Sequence, residues 1–460
     1  MVSASVRRDG SSKFADGHRY GVFPSASVGW NIMNEQFFEK AKETVNELKL
    51  RVSYGTLGNL NGVGNYATQS VVNSGYNAVQ GGSWWLGATT GASWVSPEDL
   101  TWEKTKTFNV GTDVAILNNK LSLTADYFIQ RTEGLLLGIN QPGSSGMSGT
   151  PTYNAATVEN KGVEISLNHR NTVGELYYHV GVNLSAIKNN LKEITTPTRQ
   201  EFTGYTPHDK GYITWAKVGK SIGSFYLVKT DGIFQNQAEI DAYVNANGQK
   251  IQPNAVPGDL KYVDYDGDGD IDNLDQQYCG SPFPKLSMGL TMGAEYKGFD
   301  LNLFFDCNFG NKIFNGMRYY SSYMDGGLQN LSKEMLNAWT ESNPNTDVPR
   351  YYGDNDLNNT GWAITDRWLE NGSFFRLKTL EFGYTLPQSW TSKALLQNVR
   401  IYTAMDNLFT ITNYKGYTPD LGVNSGDGAT GQSGSVMTRG CDDGRYPSAR
   451  SFTFGLQVNF

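Results

Sequence analysis

The chain closes on Arg450-Ser-Phe-Thr-Phe-Gly-Leu-Gln-Val-Asn-Phe460, and this stretch decides the fold. Phe452, Phe454, Leu456, Val458 and Phe460 occupy every second position, with Thr453, Gly455, Gln457 and Asn459 between them. Side chains alternate across a strand, so the segment has one apolar face and one small or polar face. A strand with lipid on one side and a watery lumen on the other has this pattern. A soluble sandwich strand could alternate in the same way, but ending on an aromatic suits a membrane strand better. The five apolar residues are expected to serve as the membrane-insertion signal.

Bulk properties bound the rest. The chain has 460 residues, 13% aromatic and only 18% charged. Mean hydropathy is negative and no run of about 18 apolar residues occurs, so no transmembrane helix is expected. A barrel tolerates such polarity, because half of each strand is polar and its loops are long. The net charge of -7 argues against nucleic acid as a partner. Cys279, Cys307 and Cys441 are far apart and odd in number, giving neither a disulfide framework nor a metal spacing. Met1 to Arg8 already reads as a strand rather than an export signal, so residue 1 is not expected to be the natural beginning.

Twelve strands are expected, roughly at 2–9, 18–33, 46–57, 101–117, 119–131, 157–170, 175–188, 284–297, 299–310, 373–385, 396–410 and 448–460. The strand near 374–384 changes phase between Leu377 and Leu380, which predicts a bulge. Connections alternate in length. Those at 117–120, 171–175 and 296–299 are short, and those at 34–46 and 387–398 somewhat longer. Those at 58–100, 132–156, 189–283, 311–372 and 411–447 are long, with 10–17 a short exception. An up-and-down barrel puts every second connection on one side, and outer-membrane barrels keep short turns in the periplasm and long loops outside. The predicted fold is therefore an antiparallel transmembrane β-barrel whose last strand ends in the periplasm. Aromatics near strand ends, such as Tyr20, Trp30, Trp102, Phe128 and Tyr384, fit interfacial girdles.

One motif carries chemistry. In the run from Asp264 to Asp275, Asp264, Asp266, Asp268 and Asp275 fall at positions 1, 3, 5 and 12 of a calcium loop. Gly269 takes the sharp turn and Asp270 offers a backbone carbonyl. The twelfth residue is Asp rather than Glu, and no amphipathic helix pair flanks the run, so it is not an EF-hand sensor. The expectation is a Ca2+ site that stiffens a long external loop within 189–283; the alternative is a solvated acidic turn. Catalysis has little support: no Gly-x-Ser-x-Gly elbow or His-Glu-x-x-His occurs, and the four histidines (18, 169, 179 and 208) form no site. Trp84, Trp85, Trp94, Tyr319 and Tyr320 lie in long connections, where exposed rings could stack on sugars. Packing of loop against loop is the commoner fate of such rings.

Specific blocks then carry a resemblance. They include Arg7-Arg-Asp-Gly-Ser-Ser-Lys-Phe14, Arg19-Tyr-Gly-Val-Phe-Pro-Ser-Ala-Ser-Val-Gly-Trp30 and Leu48-Lys-Leu-Arg-Val-Ser-Tyr-Gly55. Trp102-Glu-Lys-Thr105, Asn160-Lys-Gly-Val-Glu-Ile165, the Pro257 to Asp275 run, Gly280-Ser-Pro-Phe-Pro284 and Asp406-Asn-Leu408 continue the match. Together they resemble SusC/RagA-type TonB-dependent transporters, end to end. The resemblance implies the C-terminal part of a 22-stranded barrel that imports glycans or peptides across the outer membrane, with no enzymatic activity. It implies a SusD-like surface lipoprotein as lid, TonB acting through an absent N-terminal region, and the barrel assembly machinery as partners. Signal peptide, plug and about ten early strands of that family are missing. The alternatives are a complete passive 12-stranded porin, a barrel enzyme, or a soluble sugar-binding β protein.

Overall fold

The computed structural model describes residues 1–460 except 69–71, 75–77, 86–87, 91–98, 140–150, 196–200, 208–210, 323–329, 353–357, 359–363 and 423–435. Side chains are likewise not described at 72–74, 78–80, 85, 88–90 and 394. The chain falls into two units, residues 1–201 with 218–220, and residues 202–217 with 221–460.

In the first unit seven long strands form an antiparallel meander, each paired with its sequence neighbours. They are β1 (Val2–Gly10), β2 (Tyr20–Asn31), β3 (Val45–Asn59), β4 (Glu103–Ile116), β5 (Leu121–Gly138), β6 (Thr152–Val173) and β7 (Leu176–Ile194). The second unit has five more in the same arrangement: β8 (Leu286–Tyr296), β9 (Phe299–Phe309), β10 (Phe374–Thr385), β11 (Asn398–Thr412) and β12 (Ser451–Asn459). All twelve expected strands are present. Three run further into the long connections than the alternation indicated: β5 continues past 131, β6 starts before 157 and β7 continues past 188.

Short connections are tight turns. Lys297 and Gly298 sit at φ 49° and 85°, the two-residue hairpin geometry that matches strand twist. The expected bulge is real: the β10–β11 register shifts between Leu377 and Thr379.

The faces of the two meanders separate by chemistry. Across the first, Val28, Val52, Val110, Tyr127 and Val163 lie in one row of paired positions. Each of these side chains is exposed. Across the second, Met292, Phe299, Phe382, Ile401 and Leu456 are exposed on the shared apolar face. The opposite face is polar. Ser3 pairs with Ser27 and Ser5 with Ser25 through their hydroxyls, at 3.2 and 2.8 Å. Arg51 holds Asp113 and Asp126, and Arg400 holds Asp300 and Glu381. These meanders therefore bury no oily interior of their own, which distinguishes them from a sandwich.

Buried cores lie at the ends with long connections. In the first unit Phe14, Phe23, Val63, Leu100, Trp102 and Leu136 cluster, so the short 10–17 loop joins the long ones. In the second, Phe225, Leu227, Tyr262, Phe314, Tyr319, Trp368 and Cys441 form one core drawn from all three long connections. The connection before β8 is itself ordered, with a four-stranded sheet at Phe202–Thr203, Thr214–Ala216, Ser224–Val228 and Gln276–Gly280.

Candidate functional site

The acidic run forms a compact loop in the second unit. Carboxylate oxygens of Asp264, Asp266 and Asp268 lie within 4.8 Å of one another. Gly267 and Gly269 have φ of 80° and 96°, a left-handed geometry that a side chain would strain. Those turns let Asp264 accept the N–H groups of Gly267 and Gly269 at 2.7 and 3.1 Å. Asp268 accepts the Asp270 N–H at 2.9 Å.

Asp275 has a different job from the one its spacing suggested. It is fully buried and outside the carboxylate triad. Its two oxygens accept the N–H groups of Tyr265 (2.6 Å) and Asp272 (2.8 Å), and with Asp272 it completes a capping box. Burial holds its carboxyl above the ordinary range, while those two N–H bonds pull the other way. Asp275 thus closes the loop, and the three exposed or half-exposed carboxylates are the part that could take a cation.

The aromatic candidates divide. Tyr319 is fully buried against Trp368 and Tyr320, with ring centroids 5.5 and 5.2 Å away. It is a core residue and presents no face to a sugar; packing, the alternative reading of the loop aromatics, holds there. Tyr320 is half-buried against the same core. Trp84 is exposed in a small hairpin of Ala78–Gln80 and Ser83–Trp85. The side chain of Trp85 and all of Trp94 lie outside the described residues. Of the terminal strand, Phe452, Phe454, Leu456 and Phe460 are exposed and Val458 half-buried.

Sequence reasoning missed a charged cluster at the heart of the second unit. Arg318 binds Glu334 through Nε (2.9 Å) and Nη2, Glu370 (3.4 Å) and the Arg367 carbonyl (3.1 Å). Arg318 and Arg367 each lie over the Trp368 ring, 5.8 and 5.4 Å from its centroid. The Arg318 hydrogen bond holds the Glu334 carboxyl below its ordinary range, ahead of the opposing effect of burial. Burial depresses Arg367. These residues are up to 52 positions apart in sequence, so no spacing announced them. Nearby, Tyr414 donates to the buried Asp442 at 2.5 Å, and Tyr205 donates to Asp443. Burial pushes the Cys279 thiol up to about 11, which keeps it protonated and unreactive at neutral pH.

Similarity to known proteins agrees with this architecture. A family model described as TonB dependent receptor-like, beta-barrel matches residues 1–408. TonB-dependent receptor P3 of Formosa agariphila is 33% identical over 462 residues, an alignment covering 100% of this chain and 44% of that protein. TonB-dependent receptor SusC of Bacteroides thetaiotaomicron is 26% identical over 470 residues, covering 100% and 42%. A solved structure of the RagAB peptide transporter superposes with a TM-score of 0.77 at 26% identity, covering 100% of this chain and 46% of that one. The chain spans less than half the length of these relatives.

Proposed function

This chain belongs to the TonB-dependent receptor β-barrel family, and we propose that it forms the C-terminal wall and long loops of an outer-membrane importer of the SusC/RagA type. The observation that carries the reading is the inversion of burial. Strand side chains such as Val163 and Phe454 are apolar and exposed, while buried cores form from the long connections, joined in the first unit by Phe14 of the 10–17 loop and by Phe23 and Leu136 at strand ends. Only a hydrocarbon solvent makes that sheet surface favourable. The polar face, with its Arg51 and Arg400 clusters, lines the lumen.

The cargo of the longer protein is an oligosaccharide or a peptide, admitted beneath a SusD-like lipoprotein and moved by energy from TonB. The long connections face the cell exterior and β12 ends in the periplasm. RagAB, to which the chain is similar, is named a peptide transporter, which supports the second cargo class. A cell lacking only the TonB-contacting segment of the full-length protein should lose uptake of its cargo. Uptake that persists at the wild-type rate would make the protein a passive pore instead.

Asp264, Asp266 and Asp268 hold a divalent cation of the calcium type, which stiffens the loop without catalysing anything. Three carboxylates this close repel one another unless a cation sits between them. Chelation should speed protease cleavage within 264–275 several-fold, and added Ca2+ should restore protection. Equal cleavage with and without chelator would reduce the run to a solvated turn.

A further inference from the structure

On the apolar face of β4 to β7 the paired rows change character toward the long connections. Val110, Tyr127, Val163 and Ala186 form one row. The next row in that direction is Phe108, Ile129, Lys161 and Lys188, and the one after it Lys106, Arg131, Glu159 and Asn190. Lys104 opposite Glu133 follows, with Lys192 two residues beyond Asn190 on β7. Apolar side chains thus give way to charged ones within two rows, on the face that meets hydrocarbon.

Six basic side chains meet two carboxylates there. Lys106 and Arg131 share Glu133, at 2.6 and 3.5 Å, and Lys192 holds Glu159 at 3.2 Å. Six cations against two anions leave a surplus of four positive charges, in a chain whose net charge is -7. Lys161 and Lys188 are both exposed and stand directly opposite each other, where like charges repel. The second unit shows that such rows are no general habit of the wall. At its own long-connection end the rows stay apolar: Leu290, Phe305, Leu377 and Phe409, then Met288, Cys307, Phe375 and Ile411.

Surplus positive charge continuous with a lipid-facing surface selects an anion that carries its own acyl chains. Four strands spread the cations over about 14 Å, wider than the single phosphate of an ordinary phospholipid. We propose that this patch binds a membrane glycolipid bearing more than one phosphate. Its acyl chains lie along the rows of Val110, Tyr127 and Val163. Its phosphates meet Lys161 and Lys188 on one side and Lys104, Lys106 and Arg131 on the other. A phosphate between Lys161 and Lys188 replaces their repulsion with two charge-assisted contacts, and long basic side chains reach it while their stems stay on apolar surface. The inference rests on the importer reading above for the leaflet this end meets, the outer one. It concerns the wall rather than the cargo.

The test uses the full-length receptor in detergent and native mass spectrometry with three lipids. These are an acylated glucosamine disaccharide carrying two phosphates, the same disaccharide with both phosphates removed, and phosphatidylglycerol. The diphosphorylated lipid should bind most tightly. K161Q/K188Q should weaken it by about tenfold, and K161R/K188R should restore it. K40Q/K42Q, which removes the same charge from the connection between β2 and β3, should leave it unchanged. Heat-modifiable migration in gels checks that each variant is folded. Equal binding of the phosphorylated and phosphate-free disaccharides would overturn the proposal. So would phosphatidylglycerol binding as tightly, or an equal loss in K40Q/K42Q. Displacement of the lipid by inorganic phosphate at millimolar concentration would also overturn it, making a free anion the ligand. Cellular uptake separates the two levels. No lipid binding by a receptor whose uptake needs its TonB-contacting segment refutes the patch and keeps the importer. Phosphate-dependent binding by a receptor whose uptake survives loss of that segment refutes the importer and keeps the patch.

Discussion

Phe454 on β12 is 82% exposed, whereas Phe314, in the connection between β9 and β10, is fully buried. Both are phenylalanines in the second unit, and each stands for its region. The strands present apolar side chains outward and gather polar ones on the other face. The connections do the opposite, closing Phe225, Phe314, Tyr319 and Trp368 into a core as any water-soluble domain does. One chain thus obeys two solvents. The same side chain is stabilising outside in hydrocarbon and inside in water, so a substitution must be judged by region before it is judged by residue type.

The largest effect that would break this contrast is expected at Phe314. F314A should cost the connections about 3–5 kcal/mol, the range for emptying a buried aromatic site. Limited proteolysis should then cut the three long connections of the second unit, while the strands keep their heat-modifiable migration in gels. Simultaneous loss of the strands would mean that the regions are not independent. V163R on the apolar face of β6 should cost about 2–4 kcal/mol in lipid vesicles at mid-membrane depth, read from denaturant titration of folding. S166R, three residues on and on the polar face, should cost far less; equal costs would remove the distinction between the faces.

Smaller effects sharpen the picture inside the connections. D275A removes the acceptor of two backbone N–H groups and should cost about 1–3 kcal/mol, seen as faster cleavage near residue 265. The effect should survive chelation, since Asp275 serves the backbone rather than the cation. The smallest expected effect is on pH dependence. Arg318 lowers the folded-state value of Glu334 below its ordinary 4.5, so this group's contribution is present above 4.5 and is lost as pH falls through the lowered value. E334Q should flatten that acid limb of connection stability and leave the neutral range with a constant offset. An unchanged acid limb would show that Glu334 does not set it.

Much of the wall was legible because a barrel strand writes its environment in a period of two. Val163, Ile165 and Leu167 alternate with Glu164, Ser166 and Asn168, and the faces of β6 follow. The bulge at Leu377 to Thr379 was visible as a broken phase, since a phase shift has no other cheap explanation in a strand. The strand extensions were not visible. Near Leu135, Leu136 and Leu137 the sheet leaves the zone where one face must be polar, and alternation stops carrying information. The connections were least legible. Phe225-Tyr-Leu-Val228 is a short apolar run, buried throughout together with Ser224, the signal of a water-soluble core strand inside a stretch whose length and polarity otherwise read as a loop. The candidate site divides in the same way. Asp264, Asp266 and Asp268 were found by local spacing, because a turn brings near neighbours together. Arg318, Arg367 and Glu334 meet only after folding, and no local rule marks them.

The core shared by Phe225 from one connection, Phe314 and Trp368 from a second, and Cys441 from a third also limits how such a receptor can be re-engineered. None of these segments is a cassette. Grafting one from a homologue would leave its neighbours with holes or clashes, so changes of cargo range must come as exchanged sets of three or as single residues at the rim.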